Sequence, residues 1–290
     1  LFNIRVTHLS IGQTNEQWEK NRQIMSDKYK KNLPIDIIKN EEIHETFIFI
    51  HDQDLIIGFE ESNKFNHLKR YKYVFLGKRN TDKIENNPKV IIAKNYEDNL
   101  EDYPLFTSFT GWYILWKYNL ITTKYVSLFE YDILLNKNIE QVNSKFFYDD
   151  IEMVGYVPMV ANMFHFIDNP RWVEHIFPAF KKVYGIDVES RIRNMMKLNP
   201  NLLWSTTSNT TFKKTIFEEF MKWFSPLIPY LKDTETCGHA HERAISFFFL
   251  TKNKKIQLTN GLLKHLQMDS HKTQGHNIDY DESIKKLLTN

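Results

Sequence analysis

Two carboxylates, Glu130 and Asp132, stand one residue apart inside the apolar run "YVSLFEYDILL" (125–135). Charge taken out of water without a partner is costly, so such groups are normally paired, protonated or bound to a cation. Residues i and i+2 of a strand face the same side, roughly 6.6 Å apart at about 3.3 Å per residue. A bend at the strand end would let both reach one divalent ion. Hard cations such as Mg²⁺ take carboxylate oxygens at about 2.1 Å and keep water and phosphate as their other ligands. The chemistry on offer is a metal ion and, through it, a diphosphate. The bland alternative is a strand end whose acids pair with Lys124 or Lys137.

A second acid pair, Asp52 and Asp54, follows "TFIFI" in "HDQD" (51–54). Its His-Asp dipeptide also suits a metal phosphohydrolase, but such enzymes present that pair from a helix, and "TFIFI" reads as a strand. About three strands precede it, too few to complete a nucleotide-binding half. Asp52 and Asp54 are read instead as nucleotide contacts, or as loop acids at a strand end.

The elements that must position these groups follow from periodicity. "NIRVTHLSIG" reads as a strand. Thr14 caps a helix that ends before Pro34, and "IDII" (35–38) is a strand, the pattern of a parallel sheet. Strands follow at 46–50, 71–77 and 89–93, then an acidic loop at 95–104. The run 105–121 has helical spacing, and the opening stretch is the next strand. "YVPMVANMFHF" (156–166) is ambiguous. Helices are expected over 169–185, 210–231 and 240–253, with Phe217, Phe220 and Phe224 on one face. Strands thus fill the first half and helices the second. The expected fold is α/β, a mostly parallel sheet with a helical C-terminal half. One domain, 1–290, is expected, its nucleotide half 1–135 and its acceptor half 136–290.

Bulk composition narrows the classes. Hydrophobic residues are 42% and charged residues 26%, as in globular proteins. Thirty-eight basic and 36 acidic residues nearly cancel, so charge alone would not hold the chain to nucleic acid. A single Cys, Cys237, excludes an intrachain disulfide and a Cys-rich zinc site, and points to a reducing compartment. No run of about 18 apolar residues occurs, so no membrane-spanning helix is expected. The expected location is the cytoplasm or the cytoplasmic face of a membrane, with a viral or host-cell compartment as the alternative. Leu1 opens the chain without a Met, so a piece of a longer protein is expected. Neither G-x-G-x-x-G nor a P-loop motif is present, which disfavours a dinucleotide or NTPase site.

An acid-x-acid motif closing a strand in an α/β domain is the usual metal and diphosphate site of nucleotide-sugar glycosyltransferases. "FTGWYILWKYN" (109–119), with Trp112, Tyr113, Trp116, Lys117 and Asn119, precedes it here. Together they resemble the glycosyltransferase-like domains of bacterial capsular and exopolysaccharide gene clusters. "SNTTFKKTIFEEFMKWFSPLIPYL" (208–231) resembles that family's Asn-containing strand and amphipathic helix, and "HERAISFFFL" (241–250) its Glu-Arg helix. The order agrees across roughly 71–250. Where the family carries a His-Tyr-Arg-Arg type motif, this chain has Phe129-Glu130-Tyr131-Asp132, so acids replace bases. Residues 1–70 fit the family poorly and are read as additional α/β structure.

The resemblance implies a GT-A-like enzyme that moves a sugar from a nucleoside diphosphate sugar, with UDP the expected nucleotide, to a glycan or glycoprotein acceptor. Mn²⁺ or Mg²⁺ would sit on Glu130 and Asp132, with His271 a further ligand. An inverting transferase needs a base, and "DTETCGHAHERAI" (233–245) offers Asp233, Glu235 and Glu242. Glu242 is preferred, in the first turn of a helix whose dipole would favour its ionised form. Lys78, Arg79, Tyr131, Arg243 and Lys272 are expected around the nucleotide sugar. Trp112 and Trp116 are read as packing against the sheet. The competing classes are a non-catalytic glycan-binding or scaffolding module and the phosphohydrolase built on "HDQD".

Overall fold

The computed structural model describes residues 44–52, 62–79, 81, 84–160, 172–205, 207–234 and 237–265. All of them belong to the compact unit Glu41–Asn290. The elements expected before His44 lie outside the described residues.

Strands β1 (His44–His51), β2 (Tyr71–Leu76), β3 (Val90–Ile92) and β4 (Tyr125–Glu130) fall where the apolar runs place them. β5 (Ile133–Leu135) follows after a bend at Tyr131 and Asp132. The later strands are β6 (Met153–Tyr156), β7 (Pro158–Val160), β8 (Leu203–Ser205), β9 (Thr210–Lys213), β10 (Ile256–Thr259) and β11 (Leu263–His265). Seven form the main sheet, in the order β10-β6-β9-β4-β1-β2-β3. Among them β9 alone runs against the rest.

β1 shows why the sheet is covered on both faces. Its run is apolar without alternation, as suits a strand buried on each side. Phe47 and Phe49 join one core, and Ile48 and Ile50 the other. The first core is sealed by α1 (Phe109–Lys117) and the second by α2 (Ile139–Tyr148). Gly111 lets α1 approach: a β-carbon there would stand 2.4 Å from Phe49 Cε1. Trp112 is fully buried, edge-on to Phe212 at 5.6 Å, so it packs as expected. Helices α3 (Phe177–Tyr184), α4 (Val188–Leu198), α5 (Lys214–Phe224) and α6 (Cys237–Thr251) contribute Phe180, Ile192, Phe220 and Phe248 to the first core.

Two expectations are corrected. The second half is not purely helical, since it supplies β6, β9 and β10 to the same sheet. Residues 210–213 are strand rather than helix, and α5 begins at Lys214. Thr210 and Thr211 are β-branched and fully buried between neighbouring strands, which outweighs the helical period that follows them. The polar stretch after Lys254 holds β10 and β11, strands whose pairing comes from distant partners.

Candidate active site

The chain runs outward from β1 through β2 to β3, then crosses back to place β4 on the other side of β1. In such sheets ligands bind beyond the carboxyl ends of the strands where the order reverses. A cleft of about 660 Å³ opens there. His51 and Asp52 border it from β1, Gly77, Lys78 and Arg79 from β2, and Glu130, Tyr131 and Asp132 from β4. Glu242 of α6 and the start of α1 complete its wall. Seven of the anticipated residues, scattered from 52 to 242 in the chain, thus share one cavity.

Glu130 is held firmly. Ser208 Oγ donates to its Oε1 at 2.9 Å, and His51 Nε2 faces its Oε2 at 3.8 Å. Its backbone N–H donates to Asn209 Oδ1 at 2.7 Å. Burial by itself would raise this carboxyl. His51 and the hydroxyls of Ser108 and Ser208 outweigh it and hold Glu130 below the usual range.

Across the cleft, Arg79 forks onto Asp52, with Nη2 at 2.8 Å from Oδ1 and Nε at 3.0 Å from Oδ2. That guanidinium keeps the Asp52 carboxyl below its ordinary value. The carboxylate rests on Gly77, where a β-carbon would meet Asp52 Cγ at 2.4 Å, and Gly77 has φ +105°. The Gly77 N–H donates to Glu101 Oε2 at 2.8 Å, while burial pushes the Glu101 carboxyl up. Lys78 reaches Asp102 at 2.5 Å.

Glu242 stands six residues into α6 rather than in its first turn. The dipole argument therefore fails, and the carboxyl moves the other way. Burial pushes it up to about 7; Arg243 opposes the rise and the Glu130 charge adds to it. Arg243 Nη1 lies 3.2 Å from Glu242 Oε2, so Arg243 backs the carboxylate rather than bordering the cleft.

Other expectations separate from this group. Asp233 is exposed and is not among the described residues that border the cleft. Asp54, Glu235, His271 and Lys272 lie outside the described residues. The last described strand, β11, pairs with β5 just beyond Asp132, with His265 opposite Ile133. Ser108 and Ser208 were not singled out from the sequence; His51 entered only with the His-Asp pair of "HDQD", and Asn209 only within the Asn-containing stretch 208–231. Single Ser, Asn and His residues give no spacing signal, although the polar "SNTT" (208–211) breaking an apolar stretch was the available hint.

No protein-family model matches the sequence, and no curated protein matches it. The narrower resemblance to the capsular and exopolysaccharide family thus stays an expectation. Among solved structures the chain is similar to WbbM, described as a bifunctional glycosyltransferase in apo form. The two are 13% identical with a TM-score of 0.53, over 75% of this chain and 44% of that one. This chain therefore spans less than half the length of that relative. The fold is GT-A-like. A looser alignment, to TarS 1–349 of S. aureus, has 10% identity and a TM-score of 0.38 over 74% of this chain and 57% of that one, and carries no argument.

Among the described residues no three His, Cys, Asp or Glu side chains are grouped to hold a metal ion. Two carboxylates suffice for a hard cation that keeps phosphate and water as its remaining ligands. Each carboxylate oxygen has more than one lone pair, so the hydrogen bond from Ser208 leaves Glu130 capacity for an ion. Glu130 and Asp132, on either side of one bend at the cleft wall, offer carboxylate oxygens, the ligand type a hard cation takes.

Proposed function

We propose that this chain is a metal-dependent glycosyltransferase. It would move a sugar from a nucleoside diphosphate sugar, with a UDP-sugar the expected donor, to a glycan or protein acceptor. The observation that best supports the reading is the gathering of Glu130, Asp132 and Glu242 around one cleft at the reversal point of a GT-A-like sheet.

Glu130 and Asp132 would hold Mn²⁺ or Mg²⁺, which when bound offsets the charge on a departing diphosphate. His51, Ser108 and Ser208 keep Glu130 ionised, and Asn209 holds its backbone N–H. Lys78 and Arg79 offer positive charge on the β2 side of the cleft. In an inverting transfer, Glu242 takes the proton of the acceptor hydroxyl as the oxygen attacks the anomeric carbon. The bond from that carbon to the diphosphate oxygen breaks, and its electron pair leaves with the diphosphate. A carboxyl near 7 suits a base that works at neutral pH.

Calorimetry with UDP, GDP and their sugars, with and without Mn²⁺, tests the reading. Binding that requires the metal and is lost in Asp132→Ala is expected. Metal-dependent hydrolysis of the donor would rule out a non-catalytic glycan-binding module. If no nucleotide binds in either condition, and Glu130→Ala changes nothing, the reading fails.

A further inference from the structure

One buried hydroxyl of the cleft wall has no partner among the described residues. Thr110, in the first turn of α1, is 3% exposed. Hydroxyls buried to that degree are normally hydrogen-bonded, as Ser127 Oγ and Thr211 Oγ1 are to each other at 2.7 Å. In a helix a Thr hydroxyl usually turns back to a carbonyl one turn earlier, as Thr251 Oγ1 does to Phe247 O at 2.6 Å. The Thr110 hydroxyl makes no such bond, and its oxygen is not sealed inside the protein. The little surface that Thr110 keeps opens on the cleft, which it borders.

The backbone beside it is open as well. N–H groups at a helix start point outward along the axis, and the helix itself offers them no acceptor. The Thr110 N–H turns back to Thr107 O at 3.1 Å, and those of Gly111 and Trp112 to Ser108 O at 2.9 and 3.2 Å. The N–H groups of Ser108 and Phe109 have no backbone acceptor among the described residues. Ser108 stands at the N-cap without capping, its hydroxyl serving Glu130 instead, and no acid lies in the first turn. α1 is nine residues long, and Thr107, Ser108 and Thr110 bring its positive end to the cleft wall. An unpaired N–H, a free hydroxyl and a helix dipole together favour an anion, and phosphate is the anion such starts hold.

We infer that the start of α1 is a phosphate seat, where the Ser108 N–H and the Thr110 hydroxyl donate to the diphosphate of the nucleotide sugar. The inference rests on the glycosyltransferase reading and adds to it a binding element made of neutral groups. Lys78 and Arg79 border the same cleft from β2, so the diphosphate meets donors on two walls. Glu130 lies beside the seat through Ser108, and a divalent ion bound there offsets its charge.

The test is calorimetry on the full chain with Mn²⁺, titrating UDP and GDP and following the one that binds. Thr110→Val removes the hydroxyl and keeps the buried shape. It should weaken the diphosphate by about tenfold or more, the scale of one hydrogen bond to a charged group. Thr110→Ser restores the hydroxyl and should recover most of the affinity. Urea unfolding checks that each variant keeps the fold, and Thr110→Ala, which cannot overpack the site, gives the same comparison should the Val variant not fold. A hydroxyl-free variant that binds the diphosphate as tightly as wild type overturns the inference. So does a Ser variant as weak as the hydroxyl-free one, since the loss would then belong to packing. Either result leaves the transferase reading standing. Failure of both UDP and GDP to bind wild type overturns that reading and this inference together.

Discussion

Asn209 accepts the backbone N–H of Glu130 at 2.7 Å, joining the start of the one reversed strand to the end of β4 across 79 residues of chain. Because β9 runs antiparallel to β4, its first residues lie beside the last residue of β4. Ser208 and Asn209 therefore frame the acid, one at its carboxylate and one at its backbone. Asn209→Ala leaves that N–H without its acceptor and should cost about 1–3 kcal/mol in urea unfolding. Ser208→Ala should cost about 1 kcal/mol. Calorimetry should show weaker Mn²⁺-dependent nucleotide binding in both.

Glu242→Gln should lower kcat by about 10²–10⁴-fold while leaving the affinity for the donor within a few-fold. The base must be deprotonated, so wild-type kcat/KM should rise with pH and level off above about 7. A pH–rate profile of the variant should lack that rise.

Two groups with opposite shifts, buried His44 and half-buried Glu242, should oppose each other in the pH dependence of stability. His44, bonded to Ser127 Oγ at 2.7 Å, is lowered from 6.5 to about 4 by burial. Between those values the unfolded chain binds more protons, so this term raises stability as pH rises. Glu242 is raised from 4.5 to about 7, chiefly by burial, so the folded chain binds more protons over nearly the same range and stability falls as pH rises. Glu242→Gln removes the falling term. Its unfolding free energy should therefore climb more steeply than that of wild type between about pH 4 and 6.5. Chemical denaturation at several pH values measures the difference.

Gly77→Ala should be among the more damaging single-methyl changes. It combines φ +105° with a β-carbon 2.4 Å from Asp52 Cγ. A loss of about 1–3 kcal/mol is expected from the backbone conformation alone. Displacing Asp52 should also loosen Arg79 and weaken nucleotide binding, which calorimetry would register against wild type.

The first four strands of the sheet were legible because each is a short apolar run whose residues bury locally, as "TFIFI" and "YVSLF" do. The acid pair was legible for the opposite reason, since charge in such a run needs a partner. α5 was readable from Phe217, Phe220 and Phe224, but the four residues before it were not. Thr210 to Lys213 form a strand because β4 and β6 accept them on either side, a fact about residues 50 and more positions away. β10 and β11 escaped notice for the same reason.

The sequence by itself marked the candidates for chemistry: Glu130 and Asp132 by their place in an apolar run, Glu242 by its place in a helix after a Gly. Tertiary structure alone decided their company and their charge. It brought His51, Ser108 and Ser208 to Glu130 and lowered its carboxyl, and it buried Glu242 and raised its own. A side chain's ionisation depends on the solvent it loses and the charges it meets, and both are set by contacts between elements far apart in the chain.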